Sequence, residues 1–178
     1  MQISRSEIWL IYRDRELGRE WRKKWAEQKG VKIRAGDICQ LQCDAIVSPG
    51  NSRGDMGGGL DYLIRDRFGQ ELEKRLKQEI KNFYGGFLPV GQAVIIPTFD
   101  CSIPWFVSVP TMESPREIKG TDNVERAMQA VLRAVNRKDQ VKTVAVPGLG
   151  TGVGGLSYNE AAEQMYRGFL KYCQGEGD

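Results

Sequence analysis

Two glycine-rich segments constrain this chain more than anything else in it. Ser48 to Asp61 reads SPGNSRGDMGGGLD, and Pro147 to Leu156 reads PGLGTGVGGL. Each follows a short apolar run, DAIVS (Asp44 to Ser48) or TVAVP (Thr143 to Pro147), and each precedes an amphipathic stretch. Short apolar runs read as buried strands and stretches of helical period as surface helices. Both loops therefore leave strands and enter helices. In open α/β sheets that is the edge where ligands bind.

The rest of the chain repeats the alternation. EIWLIY (Glu7 to Tyr12) predicts a strand, and Asp14 to Gln28 predicts a helix with Leu17, Trp21 and Trp25 on one face, ended by Gly30. VKIRA (Val31 to Ala35), AVIIPT (Ala93 to Thr98) and WFVSVP (Trp105 to Pro110) predict further strands. A helical stretch aligns Leu60, Leu63, Ile64, Phe68, Leu72, Leu76 and Ile80, with a break near Gly69. Asn123 to Arg137 and Asn159 to Tyr172 predict the last two helices. Apolar strands alternating with amphipathic helices imply an α/β fold, a mixed, largely parallel sheet covered on both faces. The chain reads as one domain over 1–178, with residues 1–30 as an N-terminal strand-helix addition.

Composition removes whole classes of function. Among 178 residues there is no histidine, which excludes Ser-His and Cys-His nucleophiles and any zinc site built on imidazole. Cys39, Cys43, Cys101 and Cys173 form no CxxC pair and read as reduced, buried thiols. No metal or cofactor is called for. No apolar run approaches the ~20 residues that cross a bilayer, and MQISRSEIWLIYRDR lacks a cleavage site, so a cytoplasmic protein with no membrane partner is expected. Lys and Arg number 26 against 23 Asp and Glu, a net charge of +3 that suits an anionic ligand. The basic residues Arg13, Arg15, Arg19, Arg22, Lys23 and Lys24 alternate with Asp14, Glu16 and Glu20, the pattern of a solvated face, so nucleic acid is not the expected partner.

The loops themselves suggest the ligand. Consecutive glycines Gly57, Gly58 and Gly59 let backbone N–H groups converge on one point, and a helix starting at Leu60 adds a partial positive charge there. Gly148, Gly150, Gly152, Gly154 and Gly155 repeat the logic in the second loop. Gly150, Gly152 and Gly155 match GxGxxG formally, yet only 23 residues follow Gly155, too few for the strand and acidic residue a dinucleotide fingerprint requires. No Gly-Lys-Ser or Gly-Lys-Thr exists for a Walker loop. Two separate cradles suit two linked phosphates. Asp37, in GDI after the strand Val31 to Ala35, can accept from an exocyclic amine while the Ile38 N–H donates to a ring nitrogen, as an adenine edge requires; a turn or cap is the plain alternative.

GDI, DAIVSPGNS, GGGLD, PVGQAVI and VPGLGTGVGG together resemble the macro domain family, in order and spacing, from Val31 onward. The resemblance implies a three-layer α/β/α fold and an ADP-ribose or ADP-ribosylated partner. It further implies that Asp37 and Ile38 recognise adenine, that Asn51 contacts the distal ribose, and that Gly57, Gly58, Gly59 and Leu60 cover that ribose and its phosphate. Leu149, Gly150, Thr151, Gly152, Val153 and Gly154 would hold the diphosphate. Asp61 resembles the catalytic Asp, which is ionised at pH 7 unless strongly perturbed and would orient or deprotonate a water. Two positions depart from the pattern: Ser48 stands where hydrolytic members usually have Asn, and Gly154 where many have an aromatic residue. The functions weighed are hydrolysis of ADP-ribosyl-carboxylates, ADP-ribose 1''-phosphate or O-acetyl-ADP-ribose; non-catalytic reading of ADP-ribose; and an RNA-associated or nucleotide-binding module. Plain alternatives stand beside the site residues, a helix cap for Asp61 and an Asx turn for Asn51.

Overall fold

A computed structural model describes residues 4–175. The elements follow one another as β1 (Glu7–Tyr12), α1 (Arg15–Trp25), β2 (Val31–Ala35), a 3-10 turn (Ile38–Gln40), β3 (Ala45–Asn51), α2 (Gly59–Phe68) and α3 (Gln70–Tyr84). They continue with β4 (Val94–Pro97), β5 (Trp105–Met112), α4 (Asn123–Asn136), β6 (Thr143–Val146) and α5 (Tyr158–Gln174). The six strands form one sheet in the order β2-β1-β6-β3-β5-β4. All neighbours are parallel except β4, which runs antiparallel to β5.

Alternation along each strand divides two cores. Ile8, Leu10, Ala45, Val47, Val107, Val109, Val144 and Val146 face the layer of α1, α4 and α5. Ile11, Ile46, Phe106 and Ala145 face α2 and α3. Side chains alternate across a pleated strand, so burial of both sets requires a helical layer on each face. The result is the three-layer α/β/α arrangement, and the glycine loops do leave the carboxyl ends of parallel strands, here β3 and β6.

Several boundaries move from the sequence expectation. The first helix stops at Trp25, three residues short of Gln28, and starts after Asp14, whose carboxylate accepts from the Glu16 N–H at 2.8 Å. The break at Gly69 is real: its φ of 91° closes α2 with an N–H to the Arg65 carbonyl and separates it from α3. Strand β5 runs on to Met112 because Val109 to Met112 stay buried. Cys39, Cys43 and Cys173 are buried as expected, whereas Cys101 is exposed.

The N-terminal strand-helix pair is built into the sheet. β1 lies between β2 and β6, with Leu10 opposite Ile33 on one side and Val146 on the other. Trp21 and Trp25 anchor α1 in the core. The Trp25 ring centroid lies 5.2 Å from Tyr166 and 5.1 Å from Phe169 on α5. This placement brings the loop after β1 to the same sheet edge as the glycine loops.

Candidate functional site

A cavity of about 520 Å³ opens at the carboxyl edge of the sheet. Five strand ends feed it. Arg13 and Asp14 follow β1, Gly36 to Ile38 follow β2, and Pro49 to Asn51 close β3. Thr111 and Met112 end β5, and Pro147, Gly148 and Gly150 to Gly154 follow β6. Of the residues expected from sequence, Asp37, Ile38, Asn51, Gly58, Gly59, Leu60, Asp61, Gly150, Thr151, Gly152, Val153 and Gly154 all line it. Gly57 and Leu149 do not. Gly57 precedes the turn into α2, and Leu149 is wholly buried in the hydrophobic core, where it anchors the second loop.

Asp37 does two local jobs. One carboxylate oxygen accepts from the Cys39 N–H at 3.0 Å and caps the 3-10 turn, while the other pairs with the Arg13 guanidinium at 2.7 Å. Asn51 is tied up more completely. Its carbonyl oxygen accepts from the Arg53 and Asp55 N–H groups at 3.1 and 3.3 Å, and its amide donates to the Asp55 carbonyl at 3.0 Å. That is the Asx turn weighed from sequence. A register shift between Gly50 and Asn51, opposite Pro110 and Met112, places the turn where β3 leaves the sheet.

The first cradle is held from behind by Glu73 of α3. Its carboxylate accepts from the Met56 N–H at 3.1 Å and pairs with Arg65 at 2.9 Å and Lys77 at 3.0 Å. Burial pushes its proton affinity up, but these donors outweigh burial and hold the pKa down at about 2. The entrance to α2 carries no side-chain cap: Gly58 is the N-cap, so the first N–H groups stay available toward the cavity. The entrance to α5 differs, because Ser157 and Glu160 form a capping box there. The second loop therefore has no free helix entrance beside it. It is stiffened by bonds from the Gly155 N–H to the Gly152 carbonyl and from Leu156 N–H to Gly150, both 3.0 Å.

Asp61 sits in the first turn of α2 and is only 8% exposed. Its Oδ2 lies against Gly50: a Cβ on that residue would stand 3.2 Å from it. Burial pushes the Asp61 pKa from 3.8 up to about 7; the Ser48 hydroxyl opposes the shift and the Glu73 charge adds to it. Asp61 is thus a strongly perturbed carboxylate, since desolvation disfavours the charged form. A half-protonated carboxyl at neutral pH is suited to both giving and taking a proton.

Packing also explains the missing aromatic. A Cβ on Gly154 would meet the Gly150 carbonyl oxygen at 2.7 Å and Ile118 at 3.0 Å, while the Gly154 carbonyl accepts from the Ile118 N–H at 2.9 Å. No side chain fits there. Sequence reasoning missed Tyr12, Arg13, Leu17, Leu63, Pro115 and Tyr158 in the lining. Only the interior placement of β1 reveals the first three, and the alternation of apolar residues carries no signal for strand order.

The family model of the macro domain matches residues 47–165, about two thirds of the chain. The chain belongs to the macro domain family. An uncharacterized protein of Aquifex aeolicus is 34% identical to this macro domain over 142 residues, 80% of this chain and 82% of that one. The Oceanobacillus iheyensis macrodomain solved with ADP superposes with a TM-score of 0.65 at 25% identity, over 79% of this chain and 74% of that one. Thermosipho africanus DarTG, solved in complex with ADP-ribose, shares the fold at 18% identity and a TM-score of 0.62, over 90% of this chain and 50% of that one. The family match starts at Val47, so β1, α1 and β2 of this macro domain lie outside it.

Proposed function

We propose that this macro domain binds ADP-ribose in the cavity and hydrolyses ADP-ribosyl derivatives. The observation that carries the reading is the convergence of two glycine cradles, an uncapped helix entrance and one buried carboxyl on a single cavity. Relatives support the ligand: the Oceanobacillus iheyensis macrodomain was solved with ADP and the Thermosipho africanus protein with ADP-ribose. Backbone N–H groups of both loops take the diphosphate, Asp37 and the Ile38 N–H take the adenine edge, and the distal ribose falls toward Gly58 to Asp61.

In the reaction, Asp61 accepts a proton from a water as its oxygen bonds to ribose C1''. The C1''–O bond to the modified carboxylate breaks, and the carboxylate leaves with the electron pair. Attack on the ester carbonyl instead would break the acyl–oxygen bond, Asp61 taking the proton of the attacking water and returning it to the departing ribose oxygen. General-base assistance of this kind contributes about 10² to 10⁴-fold. Substrates would be ADP-ribosylated carboxylate side chains, ADP-ribose 1''-phosphate or O-acetyl-ADP-ribose.

One observation favours a second reading, a non-catalytic reader. The Asn51 amide is spent on its own loop and no aromatic can stand at Gly154, so the distal ribose has fewer side chains to fix it. Calorimetry with ADP-ribose beside a turnover assay on an ADP-ribosylated glutamate peptide separates the two. Binding with release of free ADP-ribose supports hydrolysis, binding without release supports the reader, and absence of binding refutes both.

A further inference from the structure

The carboxyl of Asp61 has a neighbour the proposed reaction does not use. Ser48 follows Ile46 by two residues on β3, and Ser108 follows Phe106 by two on β5. Ile46 and Phe106 point toward α2 and α3, so the pleat directs both serines to the same side. The two serines are direct cross-strand partners in the parallel ladder. Gly50 separates Asp61 Oδ2 from Ser108 Oγ, a Cβ there standing 3.2 and 3.3 Å from them, and the Ser48 hydroxyl is close enough to act on the same carboxyl. Ser48 is wholly inaccessible to solvent, and neither its Oγ nor Asp61 Oδ1 makes a well-formed hydrogen bond within the protein. Two buried polar atoms left open side by side are unusual, because such groups nearly always find partners.

We propose that Ser48 is a positioning residue for Asp61: its hydroxyl turns to donate to the ionised carboxylate and to accept from the carboxylic acid, and so sets the pH range in which the site works. The inference rests on the hydrolytic reading of Asp61. A serine suits the task because a hydroxyl carries donor and acceptor on one rotor. The charged surroundings do not supply a rival donor. Glu73 of α3 is the charge that acts on Asp61, and it is neutralised by Arg65 of α2 and Lys77 of α3, the latter also held by Asp55 of the first loop. Ser108 of β5 and Gly50 of β3 bring no charge. Donation to the ionised form is the direction in which Ser48 acts, lowering the proton affinity that burial raises.

The test is the pH profile of turnover for the wild type, Ser48→Ala and Ser48→Cys, the last keeping the volume without a strong donor. Both variants should move the acidic limb upward by about half to one pH unit, a loss of about three- to tenfold on that limb and little loss at pH 9. Affinity for ADP-ribose should stay within about twofold of wild type, since the variants leave the cradles intact. An unmoved limb, or one moved by Ser48→Ala alone, overturns the proposal, the second outcome marking a cavity effect. Titration of the Asp61 carboxyl carbon by ¹³C NMR needs no turnover. If the wild type binds but hydrolyses nothing, the hydrolytic reading fails, and the carboxyl titration then decides this one: an upward shift in both variants upholds the contact, and an unchanged midpoint refutes it.

Discussion

Asp61→Asn should stabilise the fold while it disables the site. The carboxyl is nine-tenths buried, and its pKa rises from 3.8 to about 7 on folding, chiefly through burial. Below pH 3.8 the group is protonated in both folded and unfolded chains and costs nothing. Between 3.8 and about 7 the unfolded chain ionises first, so the wild type loses stability at about 1.4 kcal/mol for each pH unit. Above pH 7 both states are ionised and the loss levels off at about 4 kcal/mol. Asn cannot ionise, so its stability lacks this slope. Urea unfolding of both proteins at pH 5, 7 and 9 reads the difference directly. The advantage of Asp61→Asn should be larger at pH 9 than at pH 5 by about 2 to 3 kcal/mol, or on the order of 5 to 10 °C in Tm for a domain of this size. Any fixed cost of burying the amide cancels between the two pH values. Turnover should fall by about 10² to 10⁴-fold with ADP-ribose affinity nearly retained. Equal differences at pH 5 and pH 9 would refute the reasoning, because a group that pays no burial cost cannot be the desolvated carboxyl described.

Other perturbations test the frame around it. Glu73→Gln removes a carboxylate with a pKa of about 2 that holds Met56, Arg65 and Lys77; chemical denaturation at pH 7 should show a loss of about 1 to 3 kcal/mol. The sign is opposite to that of Asp61: the stabilisation is present above pH 4.5 and disappears as pH falls toward 2, so the gap between wild type and Glu73→Gln should close in acid. Gly150→Ala places a Cβ 2.7 Å from Val124 at a φ of 75°; calorimetry should find ADP-ribose affinity weakened by at least about tenfold as the second loop shifts. Trp25→Ala empties the contact with Tyr166 and Phe169 and should cost about 3 to 5 kcal/mol in thermal or urea unfolding without changing the pH profile of the site.

Much of this was legible before any coordinates. Near-continuous apolar strands gave away their two covered faces, and Gly69 marked the break between α2 and α3 because a positive φ there ends a helix. That both glycine loops reach one sheet edge was legible from their place between apolar runs and helical stretches. What escaped was long-range. Nothing in EIWLIY says that its neighbours will be β2 and β6, so Tyr12, Arg13 and Leu17 could not be placed at the cavity from their sequence. The proton affinity of Asp61 escaped for the same reason, since it depends on how deeply Gly50 and Ser48 cover a carboxyl that the sequence shows only as a residue in the first turn of a helix.

The interior position of β1 bears on how this macro domain should be handled at the bench. A fragment trimmed to the family match, 47–165, would discard β1, α1, β2, the first two residues of β3 and the last nine residues of α5. The loss takes β1 and also Ala45 and Ile46, the two β3 residues that pair with β6, so the apolar β6 (Thr143–Val146) would keep neither sheet partner, and its open N–H and C=O groups would recruit other chains. Expression boundaries drawn from the match alone would therefore yield aggregate, and any deletion meant to probe the N-terminal segment removes a wall of the cavity together with the middle of the sheet.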